Sequence, residues 1–421
     1  MASRQKNQIV LLYNSYIKFV RKRGRLNMKL RKWAALMLAV SLLGITGCTG
    51  TAAVDDIAVN EGYNTGSTGS GSGSSASKKI AKDSIKVGVL HLTDPAEGSG
   101  YTYTHELGIQ GMQDNLGLRD DQIVRKINVN DMDDAAVTKA LQECVDAGCN
   151  IIFTTSWGYM EKTAEFAEKY PDIYFSHATG YMSNGKNFNN YFGRIYQPRY
   201  LSGIVAGLKT QSNKIGYVAA MDSTNAEVTG GIDAFAMGVY AVNPNAKVYV
   251  KVTNSWYDPA GEEAASKELL DMGCDVMAQH CDTPYPQTMA QDRGVWGIGY
   301  NSDMSKETPD STLCSVIWNW SAYYTSAVQS LIDGTWTGAN YYGGISEGLV
   351  QLTALSDFND SQAQAKIEEA TAKMLKGELN VFDGVIETND GQTIGTAGKT
   401  LDDATITGKI NWYFKNVVVL Q

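Results

Sequence analysis

Aromatic, amide and acidic side chains follow several short apolar runs of this 421-residue chain. The run VYVKV leads into Trp256 and Asp258. The run DVMAQ leads into Asp282, and VWGIGY leads into Asn301 and Asp303. A flat heterocycle needs aromatic rings against its faces and a few amide or carboxyl groups at its edge. We therefore interpret these positions as candidate ligand contacts.

Further aromatic residues occupy similar positions in other parts of the chain. Tyr101 and Tyr103 follow the run IKVGVLHL, Trp157 follows NIIFTT, and Trp318 lies in TLCSVIWNW. Each residue alone has an ordinary explanation, since a single Trp is often core or surface. An Asp after a strand, such as Asp258, is often the N-cap of the next helix. The coincidence of several aromatic residues at one edge favours a binding site.

The elements that position these residues alternate between strand and helix patterns. Residues 247–303 contain three short apolar runs, and a helical pattern follows the first two. Such alternation predicts an α/β fold with a parallel sheet. In parallel sheets, ligands sit beyond the carboxyl ends of the strands, where these side chains collect. No glycine-rich GxGxxG motif follows a strand, so a dinucleotide-binding fold is poorly supported.

An enzyme is the main alternative to a binding protein. Asp258, Asp282 and Asp303 could supply acid or base carboxylates, and His280 could act as a base. However, no nucleophile elbow, phosphate loop or metal-ligand spacing accompanies them. We therefore predict a binding protein without catalysis, cofactor or metal.

Charge and cysteine usage narrow the class of protein further. The net charge of −9 argues against nucleic acid or an anionic membrane surface as partner. Cys274 and Cys281 flank a predicted strand and would lie about 20 Å apart, too far for a disulfide. We interpret the five cysteines beyond residue 82 as small buried hydrophobic residues. They are Cys144, Cys149, Cys274, Cys281 and Cys314.

The N-terminal region carries an export signal. Residues 28–47 combine a basic start with a short apolar run, which is typical of a signal peptide. The sequence Thr46-Gly47-Cys48 resembles a bacterial lipobox, so Cys48 is predicted to be the lipid-bearing first residue. Residues 1–27 are interpreted as a misassigned leader, and residues 48–82 as a flexible Gly/Ser-rich linker. A plain signal peptide with a chance Cys is the alternative.

Several motifs occur in an order that resembles one protein family. They are GYTYTHELG (100–108), FTTSWGYM (153–160), HATGY (177–181), YFGR (191–194), RYLSGIVAG (199–207), NSWYDP (254–259) and GYNSDM (299–304). The chain is identified from them as a member of the basic membrane protein (BMP) family. These bacterial lipoproteins are the substrate-binding components of ABC importers for purine nucleosides and related compounds. The resemblance covers about residues 84–386.

The resemblance implies a type I periplasmic-binding-protein fold. Two doubly wound parallel-sheet lobes would be joined by three crossovers and would close on a ligand. The crossovers are expected near Arg194, Asp303 and Thr337. The lobes would then comprise residues 83–194 with 303–337, and residues 195–302 with 338–421.

The resemblance also implies a site in which one aromatic residue from each lobe sandwiches the base. Tyr101 and Trp256 occupy these positions. Nucleoside binders of the family carry Asp-Ser-Asp where this chain has 301–303 (Asn-Ser-Asp), and a Lys where it has Trp318. The missing Asp and Lys would hold a ribose, so their absence favours a free nucleobase or another flat ring.

The implied partners are a small purine-like molecule, the permease and ATPase subunits of an ABC importer, and the membrane through a lipid on Cys48. The protein would sit at the extracytoplasmic face of the cell membrane. Two other functions remain open from the sequence. One is a lipoprotein that senses another heterocycle or a sugar, and the other is a nucleoside-salvage enzyme.

Overall fold

A computed structural model gives the structure of the protein and describes residues 77–421. The expectations for the leader, the signal peptide and the lipid on Cys48 concern residues outside the described part. The same is true of the linker up to residue 76.

Helices and strands alternate along most of the described chain. The helices are α1 (Gly100–Leu116), α2 (Asp134–Asp146), α3 (Met160–Lys169), α4 (Tyr196–Lys209), α5 (Ala226–Val242), α6 (Pro259–Asp271), α7 (Tyr285–Asp292), α8 (Trp320–Asp333), α9 (Ser361–Lys376) and α10 (Asp403–Gly408). The strands are β1 (Val87–Leu90), β2 (Ile123–Lys126), β3 (Ile151–Thr154), β4 (Tyr174–Ala178), β5 (Phe188–Gly193), β6 (Lys214–Ala219), β7 (Lys247–Val252), β8 (Val276–His280), β9 (Trp296–Asn301), β10 (Thr312–Trp318), β11 (Tyr341–Gly343), β12 (Val350–Leu352), β13 (Asp383–Glu387), β14 (Thr393–Thr400) and β15 (Val417–Val419).

The first sheet has six strands in the order β11-β5-β4-β3-β1-β2, and every pair is parallel. Alternate residues of its strands enter two different cores. Val87 and Val89 pack on the side of α1 and α8, whereas Leu90 packs with residues of α2 and α3. Helices therefore cover both faces, which explains why β1 reads as a continuous apolar run. We call this sheet and its four helices lobe 1.

The second sheet has seven strands in the order β12-β10-β9-β8-β6-β7-β15. Only its edge strand β12 is antiparallel to its neighbour within the described residues. Ile215 and Tyr217 of β6 pack on the side of α4 and α5, and Val218 packs on the side of α6 and α7. We call this sheet, with α4–α7, α9 and α10, lobe 2. A separate hairpin joins β13 and β14.

The chain crosses between the sheets three times, but two crossings differ from the expected positions. β10 pairs with β9, so residues 312–318 belong to lobe 2 and not to lobe 1. The second crossing therefore falls between Trp318 and Trp320, not near Asp303. The turn after Asn301 returns to the same sheet because Met304 is buried there and its N–H donates to Ser315 of β10.

The third crossing also lies later than expected. β11 pairs with β5 of lobe 1, and β12 pairs with β10 of lobe 2. The chain thus changes lobe between Gly343 and Val350, not near Thr337. The first crossing follows β5, which ends at Gly193, and α4 then leads into β6 of lobe 2.

The cysteines of the described chain are buried and unpaired, which confirms the interpretation of these five residues as small core residues. Between residues 77 and 421, no helix has the length and apolar character needed to cross a membrane.

Candidate ligand-binding site

The carboxyl ends of β8 and β9 bring Asp282 and Asn301 together. Asn301 ends β9 with a φ of 66°, a left-handed conformation that Asn tolerates better than most residues. Its Nδ2 donates to Oδ1 of Asp282 at 2.8 Å. Oδ1 of Asn301 is buried and has no hydrogen-bond partner among the described residues. This pair therefore presents an unused amide oxygen beside a carboxyl group.

Asp282 has a carboxyl group whose pKa is raised towards neutral pH. Burial raises its pKa to about 7, the hydrogen bond from Asn301 opposes that shift, and the charge of Glu262 adds to it. Its backbone N–H donates to the carbonyl oxygen of Trp256 at 2.8 Å. Two predicted site residues, Asp282 and Trp256, are thus fixed to each other through the backbone.

Glu227 is a second such carboxyl group, and the sequence analysis did not select it. It lies in the first turn of α5, directly after the turn that follows β6. Burial raises its pKa to about 7, Arg199 opposes the shift, and Asp282 adds to it. Its Oε1 lies 3.6 Å from Nε2 of His280, which burial keeps neutral by lowering its pKa. Lobe 2 therefore offers two mutually repelling carboxyl groups at one edge.

Tyr101 extends from lobe 1 to these carboxyl groups. Burial raises the pKa of its phenol, and Tyr191, Glu227 and Asp282 add to that shift through their charges. Its hydroxyl is buried with no hydrogen-bond partner in the described part of the chain. The phenol of lobe 1 and the acids of lobe 2 therefore share one environment.

The lobes also touch at the residue before Tyr101. Gly100 has a φ of 78°, and a Cβ built on it would lie 2.6 Å from the backbone oxygen of Asp282. Only glycine permits both this conformation and this close approach. The start of α1 is therefore seated directly on the β8 end of lobe 2.

A column of rings supports Tyr101 from behind. Tyr101 meets His105 edge-on, with ring centroids 4.4 Å apart. His105 stacks on Trp320 at 4.4 Å, and Trp320 stacks on Trp318 at 4.4 Å with an interplanar angle of 7°. Nε1 of Trp318 donates to the hydroxyl of Tyr300 at 3.2 Å. Trp318, predicted as a pocket wall, is 5% exposed and forms part of this core column.

Trp256, the predicted stacking residue of lobe 2, is half-buried after β7. Its ring meets His280 edge-on at 5.7 Å. Behind His280, the guanidinium of Arg199 lies over the ring of Tyr300 at 4.0 Å, and its Nη1 donates to the carbonyl of Gln279. This layer holds His280 and Tyr300 in place beneath the two carboxyl groups.

Three predicted contacts lie away from this cluster. Trp157 is 51% exposed and contacts Tyr181, so it does not wall the site. Asp303 is exposed, and its Oδ1 accepts the N–H of Ser305 within its own turn. Tyr103 lies two positions after Tyr101 on α1, about 200° around the helix, and therefore faces another direction.

Asp258 serves the role that the sequence analysis weighed as the alternative. Its Oδ1 accepts the N–H of Gly261 at 3.0 Å and caps α6. Because the carboxylate is used in this cap, Asp258 holds the turn that carries Trp256. Tyr101, Trp256, Asp282 and Asn301 are the predicted residues that the structure brings together.

The residues that sequence reasoning missed carry weak local signals. Glu227 lies in the first turn of α5, where an acidic residue is ordinarily explained by a favourable helix-dipole interaction. Arg199 stands in a motif used only to identify the family. Trp320 adjoins a predicted site residue, and only the change of lobe between them places it behind Tyr101.

Residues 85–383 match the sequence model of the family described as ABC transporter substrate-binding protein PnrA-like. A purine-binding protein of Brucella abortus is 35% identical over 337 residues, covering 80% of this chain and 94% of that protein. A Haloferax volcanii protein assigned by name as an ABC transporter glucose-binding protein is 33% identical over 285 residues, 68% of this chain and 71% of that protein. The crystallised ABC transporter solute-binding protein of Conexibacter woesei has the same fold, with a TM-score of 0.58 and 17% identity over 70% of this chain and 98% of that one.

Proposed function

Because the chain belongs to the Bmp family of PnrA-like ABC transporter substrate-binding proteins, we propose that it captures a purine between its lobes and delivers it to an importer. The family and the two-lobed α/β fold identified from the sequence are confirmed. The purine, whether free base or nucleoside, is the proposal. The absence of the ribose-holding Asp and Lys favours the free base.

One observation carries the proposal. Lobe 1 touches lobe 2 beside Tyr101, and the buried Tyr101 hydroxyl and Asn301 amide oxygen there lack partners among the described residues. The charges of Glu227 and Asp282 act on the same Tyr101 phenol. Unpaired buried polar groups are costly, and a bound ligand that bonds to them removes the cost. A purine supplies N–H donors and ring nitrogens at its edge and flat faces for Tyr101 and Trp256.

The magnitudes show how the affinity would be divided. Micromolar binding requires about 8 kcal/mol. An aromatic pair contributes about 0.5–1.5 kcal/mol beyond the area it buries. Burial of the ligand and its bonds to the carboxyl groups must therefore supply most of the affinity.

A ligand panel tests the proposal. We expect thermal stabilisation and calorimetric binding with adenine, hypoxanthine or guanine. Trp256→Ala should weaken that binding at least about tenfold, which is about 1.4 kcal/mol. Trp157→Ala is the matched control and should leave the affinity unchanged, because that ring lies away from the cluster. A protein that responds to no purine base or purine nucleoside would contradict the proposal.

A sugar is the second candidate ligand. The similarity to the Haloferax protein favours it, and aromatic rings beside carboxyl groups can also hold sugar hydroxyls. Glucose and ribose therefore belong in the same panel. Stabilisation by a sugar alone would replace the purine with that sugar.

Binding without chemistry is part of the proposal. Incubation with purine nucleosides, followed by chromatography, should return them unchanged, and any turnover would support a salvage enzyme instead. Permease and ATPase genes beside the gene for this chain would support import over sensing.

We also propose that a lipid on Cys48 anchors the protein to the extracytoplasmic face of the membrane. The basic and apolar residues before Thr46-Gly47-Cys48 support it, as does the Gly/Ser-rich tether that follows. Cys48→Ser should release the protein from the membrane fraction. Retention of that variant would show that another segment holds it there.

A further inference from the structure

The two carboxyl groups of the cluster differ in what already surrounds them. Oδ1 of Asp282 accepts from Asn301, so Asp282 and Asn301 together form a polar edge with a carboxyl and an amide oxygen. Glu227 comes from a different element, the first turn of α5, and stands beside the neutral ring of His280. The ligand would thus meet one paired edge and one single carboxyl.

This asymmetry matches the two edges of a purine. The six-membered ring of adenine or hypoxanthine presents a donor beside an acceptor along one edge, which suits the unpaired amide oxygen of Asn301 as acceptor and the protonated carboxyl of Asp282 as donor. The five-membered ring of a free base presents a single imidazole N–H on the other side, which suits one carboxyl. A buried carboxylate that accepts an N–H forms a charge-assisted hydrogen bond, and such bonds are about twice as strong as neutral ones.

The surroundings of Glu227 also bear on what the ligand can carry there. Glu227 borders a crevice between the lobes, and the rest of its lining is glycine, aromatic or isoleucine apart from one threonine. The lining residues are Phe192, Gly193, Ile195, Tyr196, Gly230, Gly231, Tyr342, Ile406 and Thr407. The hydroxyl of Tyr196 already donates to Asp403. Besides Glu227, this lining offers no amide or charged side chain to a ribose.

We propose that Glu227 is a specificity-determining residue that accepts a hydrogen bond from the imidazole N–H of a free purine base. Asp282 and Asn301 face the six-membered ring of the same ligand. This assignment rests on the proposed purine ligand and deepens it. It makes the unsubstituted imidazole ring, and not only the flat shape, the feature that the site selects.

Methylated bases test the assignment without altering the protein. Calorimetry would compare hypoxanthine and adenine with their 7-methyl and 9-methyl derivatives, which lack the imidazole N–H. We expect each methylated base to bind at least about tenfold more weakly than its parent. A methylated base that binds within about threefold of its parent would overturn the assignment.

The variant Glu227→Gln separates a lost hydrogen bond from a steric clash of the methyl group. It should weaken the parent base at least about tenfold and leave the residual affinity for the methylated bases nearly unchanged. An equal loss for both ligands would overturn the assignment, because Glu227 would then act elsewhere. Asp222→Asn is the matched control, since Asp222 is exposed and bonds within its own turn.

The outcomes distinguish this assignment from the proposed function. If no purine of any kind binds, the proposed function fails and the assignment fails with it. If purines bind and methylation has no effect, only the assignment fails. Thermal unfolding of each variant checks that the fold is intact.

Discussion

At the scale of single residues, the candidate site is marked by two carboxyl groups whose pKa values lie above the usual range. Glu227 and Asp282 both have pKa values raised to about 7 by burial. Keeping such groups in a cleft costs stability once they ionise, and structures accept that cost where function requires it. The stability of the unliganded protein should therefore depend on pH in a way that replacement of Glu227 changes.

We predict that Glu227→Gln becomes more stable relative to the wild type as the pH rises from 5 to 8. The folded pKa of Glu227 lies above its unfolded value of about 4.5, so the folded state binds more protons between them. Its contribution to the free energy of unfolding therefore falls as the pH rises through that window. The relative gain should be on the order of 1–3 kcal/mol, measured by urea unfolding.

Ionisable groups away from Glu227 cancel in this comparison because both proteins share them, whereas the repulsion from Asp282 is part of the shift of Glu227. The buried rings of His105, His177 and His280 have lowered pKa values and impose the opposite trend on the whole protein. Asp222→Asn is again the control. Hydrogen bonds from Thr224 lower the pKa of Asp222, so it is ionised throughout this range and should show no such trend. A pH-independent difference for Glu227→Gln would show that Glu227 is normally solvated.

Some of the residues in this cluster could be located from the sequence. Tyr101, Trp256, Asp282 and Asn301 follow strands or open a helix at one sheet edge, so their position could be predicted from strand and helix patterns alone. Glu227 could not be selected in this way. Whether its carboxylate points to solvent or into the cleft depends on the tertiary packing around the start of α5, which no local sequence pattern gives.

At the scale of secondary structure elements, the aromatic column joins α1, α8 and β10. Trp320 is fully buried between Trp318 and His105 and ties these elements together. Packing of this kind positions the start of α1, and with it Tyr101. Loss of this packing should therefore lower the stability of the fold more than it lowers the affinity for the ligand.

We predict that Trp320→Ala lowers the free energy of unfolding by about 3–5 kcal/mol, as expected for a buried Trp. The half-exposed Trp157 provides a matched control, and Trp157→Ala should change stability by less than about 0.5 kcal/mol. Chemical denaturation of both variants provides the measurement. If Trp320→Ala lost as little stability as Trp157→Ala, the column would not be an important part of the core.

The strands inside each lobe could be predicted from the sequence, but the points where the chain changes lobe could not. Continuous apolar runs identify β1, β3, β7 and β8 because helices cover both faces of each sheet. These runs do not indicate which of the two sheets a strand joins. β10 and the three-residue β11 were therefore both placed in the wrong lobe.

At the scale of the whole molecule, Gly100 links lobe closure to the site. A side chain there would collide with the backbone of Asp282 only when the lobes meet. Because Gly100 belongs to lobe 1 and Asp282 to lobe 2, we expect separation of the lobes to relieve this collision. A side chain at this position should therefore impair closure, with a separate cost to lobe 1 from the left-handed backbone.

We predict that Gly100→Ala weakens ligand binding at least about tenfold, or about 1.4 kcal/mol. Small-angle scattering should also show that ligand no longer compacts the variant. Gly98→Ala is the matched control, because Gly98 has a similar φ of 80° and a Cβ there meets nothing closer than 4.0 Å. Both variants should lose a similar 1–2 kcal/mol or so of stability from the left-handed backbone. Normal compaction of Gly100→Ala would show that the lobes close elsewhere.

The stacked indoles of Trp318 and Trp320 have a consequence for spectroscopy. One belongs to a strand of lobe 2 and the other to a helix of lobe 1, and their parallel rings lie 4.4 Å apart across the crossing. Chromophores this close share their excited states, so their circular dichroism depends on the angle between them. The near-ultraviolet circular dichroism of this pair should therefore report changes in the angle between the two indoles at the crossing, without any attached dye.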